Sequence, residues 1–225
     1  MPFSSVLGAS SVIKPGVCTS TTRPSVPYTG QLIFETDTSR LAVWTGSAWQ
    51  YETAAAGPPG LVYITGASFT TVTSISLPNN TFTSTYRNYR LVFQVTGYST
   101  DATLSLRMRA GGADDSTASY IGAFLGVDRN ADTTRYLRTN NATSLSLGTT
   151  KSVVLTAITF DVVSPQLTAK THLLGNIYNT DASGFQAAYN GSGTFDLSTS
   201  FDALSIIVAS GTMTGIYRVY GYTDS

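Results

Sequence analysis

Residues Arg23–Trp49 read RPSVPYTGQLIFETDTSRLAVWTGSAW, and this stretch has the pattern of a small β-meander. The first run, Gln31–Glu35, is rich in residues that favour strands. Thr36–Ser39 is predicted to form a turn, because short polar side chains can hydrogen-bond to their own backbone there. Leu41–Trp44 is the return strand, and a Thr-Gly-Ser turn leads into Ala48–Tyr51. The sequence therefore predicts three short antiparallel strands.

Apolar side chains fall on both faces of these predicted strands. Leu32 and Phe34 point to one side and Ile33 to the other, since successive strand residues alternate. A unit of about 30 residues is too small to bury two apolar faces by itself. Other copies of the same chain are the simplest way to cover these apolar faces, so we predict an oligomer interface. Its members are Leu32, Ile33, Phe34, Val43, Trp44 and Trp49.

The same stretch carries a family resemblance. Its motifs are Arg23-Pro24, Pro27–Gly30, Ile33–Thr38 and Leu41–Trp49. Together they resemble a module common in tailed-bacteriophage virion proteins, chiefly tail fibres and minor tail proteins. The resemblance implies a homotrimer, which fits three apolar ribbons closing around one axis. It also implies other virion structural proteins as partners and a place on the exterior of the tail or capsid.

Composition narrows the classes of function. The chain has 225 residues, a formal net charge of zero, 12% charged residues, one Cys and one His. A neutral chain has no electrostatic reason to bind nucleic acid or an anionic membrane. One Cys allows no intrachain disulfide. We expect no signal peptide and no membrane insertion, because no apolar run is long enough. Synthesis in a host cytoplasm and release in the virion fit that expectation.

Turn and linker signals and changes in composition divide the chain into four predicted parts. Residues 1–22 are mostly small or polar, and their apolar residues follow no regular period. We therefore predict that they form an extended attachment arm. Within the arm, Val12, Ile13 and Pro15 are the candidate contacts with the virion, and a disordered tail is the alternative. The meander occupies 23–56. Gly57–Gly60, a Gly-Pro-Pro-Gly linker, precedes a C-terminal head domain over 61–225.

The head domain shows strand periodicity throughout. Leu104, Leu106 and Met108 alternate with polar residues, as in a half-buried strand. Val153–Val163 is nearly continuous in apolar residues, which predicts a central strand covered on both faces. No helical period is sustained for three turns. We predict an all-β chain: the small N-terminal β-meander, then a jelly-roll-like antiparallel β-sandwich of roughly nine to eleven strands.

The head domain adds a second, looser resemblance. It rests on Phe82–Phe93, on Leu104–Gly112 and on the ending Gly211–Tyr222. In this order the three segments resemble phage fibre head domains.

No group of residues predicts catalysis or a cofactor. Asp114 and Asp115 are adjacent, so on a strand they would point to opposite faces and could not flank one bond. Asp128–Asp132 begins like a calcium loop but lacks its glycine and its closing Glu. Arg107 and Arg109 project from the same predicted strand face. They are either an outward patch for an anionic sugar or, as we favour, partners of Asp side chains across a trimer interface.

We therefore expect a bacteriophage virion structural protein without enzymatic activity. The leading form is a tail fibre or receptor-binding protein that recognises a host cell-surface glycan or protein. A capsid decoration or head fibre with a purely structural role is the alternative. A glycan-degrading tailspike is the remote alternative, because the sequence offers no convincing carboxylate pair.

Overall fold

The computed structural model describes residues 15–51, 60–128, 133–152, 155–180 and 186–223. The chain divides into two compact units, Met1–Pro58 and Pro59–Ser225. Within the described residues all regular structure is β, in seventeen strands, and no helix occurs. The all-β prediction is confirmed.

The first unit is a four-stranded sheet. Its strands are β1 (Gly16–Cys18), β2 (Leu32–Glu35), β3 (Arg40–Trp44) and β4 (Trp49–Tyr51), in the order β1-β2-β3-β4. The strands β2, β3 and β4 form the predicted meander. Its second turn uses a glycine: Gly46 has φ 99°, within a turn where Thr45 N donates to Ala48 O at 3.0 Å.

The first strand corrects the predicted arm. β1 pairs parallel with β2, placing Val17 beside Phe34. Ser20 also bonds the Asp37 carboxylate through its backbone N, at 2.9 Å. Residues 16–22 are therefore part of the small unit and not of a free arm over 1–22. A three-residue strand is too short to show a period of two, which is why the sequence did not reveal it.

The second unit is a sandwich of two sheets. Its strands are β5 (Leu61–Val72), β6 (Ser74–Ser76), β7 (Asn88–Tyr98), β8 (Ala102–Ala110), β9 (Ala113–Asp114), β10 (Tyr120–Asp128), β11 (Thr134–Ala142), β12 (Leu145–Thr150), β13 (Thr156–Val163), β14 (Ala169–Thr180), β15 (Gln186–Thr199), β16 (Ala203–Val208) and β17 (Met213–Tyr222). One sheet has eight strands, β11-β10-β15-β14-β13-β7-β17-β5, and the other has β12-β8-β16-β6 with β9 beside β8. The chain crosses repeatedly between the sheets, as a jelly-roll-like sandwich does.

Alternating side chains from the two sheets form one core. On β8, Leu104, Leu106 and Met108 are fully buried, as their alternation predicted. On β7, Leu91 and Phe93 are 1% exposed and belong to the same cluster. Burying each such side chain contributes about 1.5–3 kcal/mol.

The eight-stranded sheet has a second, outward face. β13 lies near the middle of this sheet, as predicted, but only every second residue is fully buried. Phe160 faces the core, whereas Thr159 and Asp161 are half-buried on the outer side. The prediction that this strand is covered on both faces is therefore wrong. The apolar run continues on the outer side at Leu155, Ala157 and Val163, which stay partly exposed, with Leu155 40% exposed.

Candidate functional site

The outer face of the eight-stranded sheet holds an open groove of about 630 Å³ across β10, β15, β14 and β13. Its floor consists of two neighbouring rows of side chains. We define the groove by these eight outward residues: Leu125, Asn190, Asn176 and Thr159 in the first row, and Val127, Ala188, Tyr178 and Ala157 in the second.

Strand register aligns these rows. Asn190 on β15 is opposite Leu125 on β10 and opposite Asn176 on β14. Residues directly opposite on neighbouring strands project from the same face, and their Cβ atoms lie about 4.5–5.5 Å apart. Residues distant in sequence therefore meet side by side. The first row is polar in its centre, and the second is mostly apolar, with the phenol of Tyr178 in its middle.

Two amides form the polar centre of the groove. Asn190 Nδ2 donates to Asn176 Oδ1 at 2.9 Å, and both residues are exposed. Among the described residues no hydrogen bond uses Asn190 Oδ1 or Asn176 Nδ2. The pair therefore presents an acceptor and a donor to solvent in a fixed relation.

Every residue that lines the groove is uncharged. The nearest charges on this face lie outside the groove. Asp161 pairs with Arg90 one row further, Arg138 lies opposite Ala123 in that same row, and Arg218 lies opposite Val92, two strands beyond Thr159 in the first row. Arg90 Nε and Nη2 donate to the two oxygens of Asp161, each at 2.8 Å, and the Tyr222 hydroxyl donates to the same carboxylate at 2.5 Å. Partial burial opposes ionisation of Asp161, but these hydrogen bonds outweigh it and lower its pKa. Burial and the bond to Asp161 raise the pKa of Tyr222 to about 12. Arg90, Asp161 and Tyr222 therefore satisfy one another.

The four-stranded sheet carries a second surface, which we call the ribbon face. It consists of outward apolar side chains on neighbouring strands, set side by side by strand register. They are Val17, Leu32, Phe34, Leu41 and Val43. Val17 is 70% exposed and Leu32 38% exposed. Three of the predicted interface residues, Leu32, Phe34 and Val43, lie on this face.

The other three predicted interface residues lie on the opposite face of the same sheet. Ile33 is 1% exposed, so it is already buried within the chain. Trp44 and Trp49 are half-buried and pack on each other, with ring centroids 5.5 Å apart. The six residues therefore do not form one continuous surface.

A buried carboxylate organises that opposite face. Glu35 is fully buried, and Arg23 Nε donates to it at 2.5 Å, while the Tyr51 hydroxyl donates to its other oxygen at 2.8 Å. The Arg40 guanidinium lies over the Tyr51 ring, 4.2 Å from its centroid. The hydrogen bond from Arg23 lowers the pKa of Glu35 against the opposing effect of burial, and bonds from Tyr51 and Thr38 lower it further.

The structure separates the two arginines of the predicted patch. Arg109 Nη1 donates to Asp114 at 2.6 Å and to Ser76 at 3.0 Å, and Nη2 donates to Gly112 O. Its carboxylate partner is thus in its own chain, not across a trimer interface. Arg107 Nε donates to Thr143 O at 3.0 Å. We therefore correct the interpretation of Arg109: it holds the β8–β9 loop, and it is not part of an exposed patch.

The predicted attachment residues fall mostly outside this description. Val12 and Ile13 lie outside the described residues, and Pro15 is half-buried just before β1. Among the described residues, no three His, Cys, Asp or Glu side chains come together as a metal site could require. In the same residues no helix has the length and apolar character needed to cross a bilayer.

Sequence reasoning missed the groove entirely. Asn176, Tyr178 and Asn190 are strand residues with no motif around them. Alternation alone places them on the outward face, but it cannot show that β14 and β15 lie between β10 and β13. Only the pairing of strands brings Leu125 beside Asn190.

Comparisons with known proteins identify no family for this chain. No protein-family model matches the chain, and no curated protein matches it. Among solved structures, the chain is similar to a sucrose-6-phosphate hydrolase from Lactobacillus gasseri, with 11% sequence identity and a TM-score of 0.33. The similarity covers 86% of this chain and 40% of that hydrolase, so the chain corresponds to less than half of that protein. At that level the likeness says nothing about activity.

Proposed function

We propose that the chain is a bacteriophage virion protein, a tail fibre or receptor-binding protein whose sandwich recognises the host surface. The observation that supports recognition is the open, uncharged groove on the outer face of the eight-stranded sheet. Grooves lined by apolar side chains with a few convergent polar groups are the usual form of ligand sites. The phage origin rests on the sequence resemblance of Arg23–Trp49 to virion modules.

In the proposed assembly three copies associate through the small unit. The ribbon face supports this, because it leaves Val17 and Leu32 exposed on adjacent strands. Exposed apolar surface of this kind commonly marks protein–protein contact. The partners beyond the homotrimer are other structural proteins of the particle.

The proposed role is binding without catalysis. Asp114 is engaged by Arg109, and the Asp115 carboxylate accepts a hydrogen bond from Thr117 N at 2.8 Å. Two carboxylates that are each held by a different hydrogen-bond donor of the chain are poor candidates for the paired acid and nucleophile of a glycosidase.

Binding to whole cells tests this proposal. Fluorescently labelled protein is added to a panel of bacterial strains and cell binding is measured by flow cytometry. We expect binding to a subset of strains, and we expect unlabelled protein to slow phage adsorption to the same subset. A protein that antibodies detect on virions, but that binds no strain and slows no adsorption, is instead a structural decoration or head fibre.

A further inference from the structure

We propose that the groove binds a neutral saccharide that presents adjacent hydroxyl groups. This inference rests on the proposed function, because it names the ligand class of the same surface. It is drawn from three properties of the groove: its charge, its pairing of a polar row with an apolar row, and its place on a sheet face.

The charge of the groove selects a neutral ligand. None of its lining residues carries a charge; the nearest carboxylate, Asp161, is bound by Arg90, and the exposed Arg138 and Arg218 lie outside the groove. A carboxylate, sulfate or phosphate group held within the groove would lose its hydration without meeting a cation among the lining residues. Acidic sugars should therefore bind less well than neutral ones.

The two rows match the two kinds of surface on a sugar ring. A pyranose has an apolar C–H face and a rim of hydroxyl groups. The second row offers Val127, Ala188 and Ala157 beneath such a face, with Tyr178 among them. In the first row, Asn190 Oδ1 can accept a hydrogen bond from a ligand and Asn176 Nδ2 can donate one. Two neighbouring hydroxyl groups can meet both requirements at once, since a hydroxyl both donates and accepts.

The position of the groove disfavours an extended peptide as the ligand. Peptides usually add to a sheet at an exposed edge, where unpaired backbone groups give the affinity. Here the four strands β10, β15, β14 and β13 are each paired on both sides. Their backbone groups are used within the sheet, so recognition depends on side chains alone.

An array of bacterial polysaccharides tests the inference. The 225-residue chain is applied to neutral O-polysaccharides and to uronic-acid-containing counterparts, and affinities are then measured in solution for the best neutral polysaccharide. We expect binding to at least one neutral polysaccharide. We expect Asn190→Ala and Asn176→Ala each to weaken it about tenfold, the loss that one or two hydrogen bonds produce. Asn79→Ala, an exposed amide outside the groove, is the matched control and should leave affinity unchanged.

A second variant separates loss of binding from loss of fold. Ala188 is exposed in the groove floor, so Ala188→Glu should fill the groove and abolish binding while leaving the unfolding midpoint unchanged. The inference is overturned if no neutral polysaccharide binds, or if binding survives all three groove substitutions. It is also overturned if Ala188→Glu changes the oligomeric state instead, because the groove would then be an interface between copies.

The two proposals fail in different ways. If labelled protein binds cells but Asn190→Ala and Ala188→Glu leave that binding unchanged, the role in adhesion stands and the groove inference is overturned. If a neutral polysaccharide binds in a groove-dependent way but no cell is bound, the groove inference stands and the adhesion role is overturned.

Discussion

Glu35 and Arg109 show how single polar residues stabilise a chain with few charges. Each is enclosed by several hydrogen bonds and has an oppositely charged partner nearby in its own unit. Removing the partner of such a charge destabilises the fold, because the buried group that remains keeps its desolvation penalty. At the scale of the residue, the consequences are a pH dependence and a contrast between two arginines.

Glu35 should make the stability of the small unit depend on pH. Its pKa in the folded chain is lowered by Arg23, so the ionised form stabilises the fold. That stabilisation is complete above the unfolded pKa, about 4.3, and is lost as pH falls through the lower folded pKa. We expect the unfolding midpoint of the small unit, followed by tryptophan fluorescence of Trp44 and Trp49, to drop below about pH 4.

The Glu35→Gln variant is the control for that dependence. It should be less stable than the parent protein at pH 7, because Arg23 loses its ionised partner, and its midpoint should change less between pH 7 and pH 3. An unchanged slope in the variant would mean that other carboxylates carry the pH dependence.

Arg109 and Arg107 form a matched pair two residues apart on β8. Arg109→Ala removes bonds to Asp114, Ser76 and Gly112, and its side chain is only 14% exposed. We expect a loss of about 2 kcal/mol in the free energy of unfolding by denaturant. Arg107→Ala removes one bond to a backbone carbonyl and should cost less than about 0.5 kcal/mol. Equal losses would contradict the structural role assigned to Arg109.

Elements, rather than residues, decide which surfaces remain open. The strands of the small sheet bury Ile33 on one side and leave the ribbon face on the other. In the sandwich, alternation buries one side of the eight-stranded sheet and leaves the groove on the other. In both units one face of a sheet forms the core and the second is available for contact.

The ribbon face should drive self-association. We expect the full chain to sediment as a trimer at micromolar concentration and Leu32→Asp to shift it towards monomer, because a carboxylate would be buried at the contact. Val26→Asp is the matched control: Val26 is 90% exposed in the loop before β2, outside the ribbon face. Near-ultraviolet circular dichroism from Trp44 and Trp49 shows whether the variant still folds. A parent protein that sediments as a monomer would rule out the trimer.

At the scale of the whole molecule, the chain consists of two compact units with a division between Pro58 and Pro59. The core cluster lies entirely within the second unit. We therefore expect this core to form without the first unit.

The sandwich should therefore fold alone. A fragment of residues 60–225 should show a cooperative transition at the same denaturant midpoint as the sandwich within the full chain, since it retains the whole core cluster. The small unit supplies a separate tryptophan signal, because both Trp residues of the chain lie there. An unfolded fragment, judged by far-ultraviolet circular dichroism, would show that the two units depend on each other.

Attachment to the particle is predicted to lie at the start of the chain. Deleting residues 1–14 keeps all four strands of the small sheet, because β1 begins at Gly16. We expect the shortened protein to remain a soluble trimer but to be absent from purified virions. Incorporation at the normal copy number would place attachment elsewhere.

The sequence by itself determined the fold class, the meander and the alternation of the sandwich strands. These follow from local physics: turn residues bond their own backbone, and a period of two needs only a few neighbouring residues to be visible. Thus the sequence predicted that the side chains of Leu104, Leu106 and Met108 face the core, without knowledge of the neighbouring strands.

Only the tertiary structure decided which strands are neighbours, and with that the candidate site. Asn190 and Asn176 lie on consecutive strands, but Leu125 and Thr159 reach the same row from other parts of the chain. Arg109 was likewise predicted to pair across a trimer interface, because the sequence does not show that Ser76 and Ser205, two of its partners, lie beside it in the fold. Contacts between distant segments depend on the pairing order of whole strands, and no local pattern encodes that order.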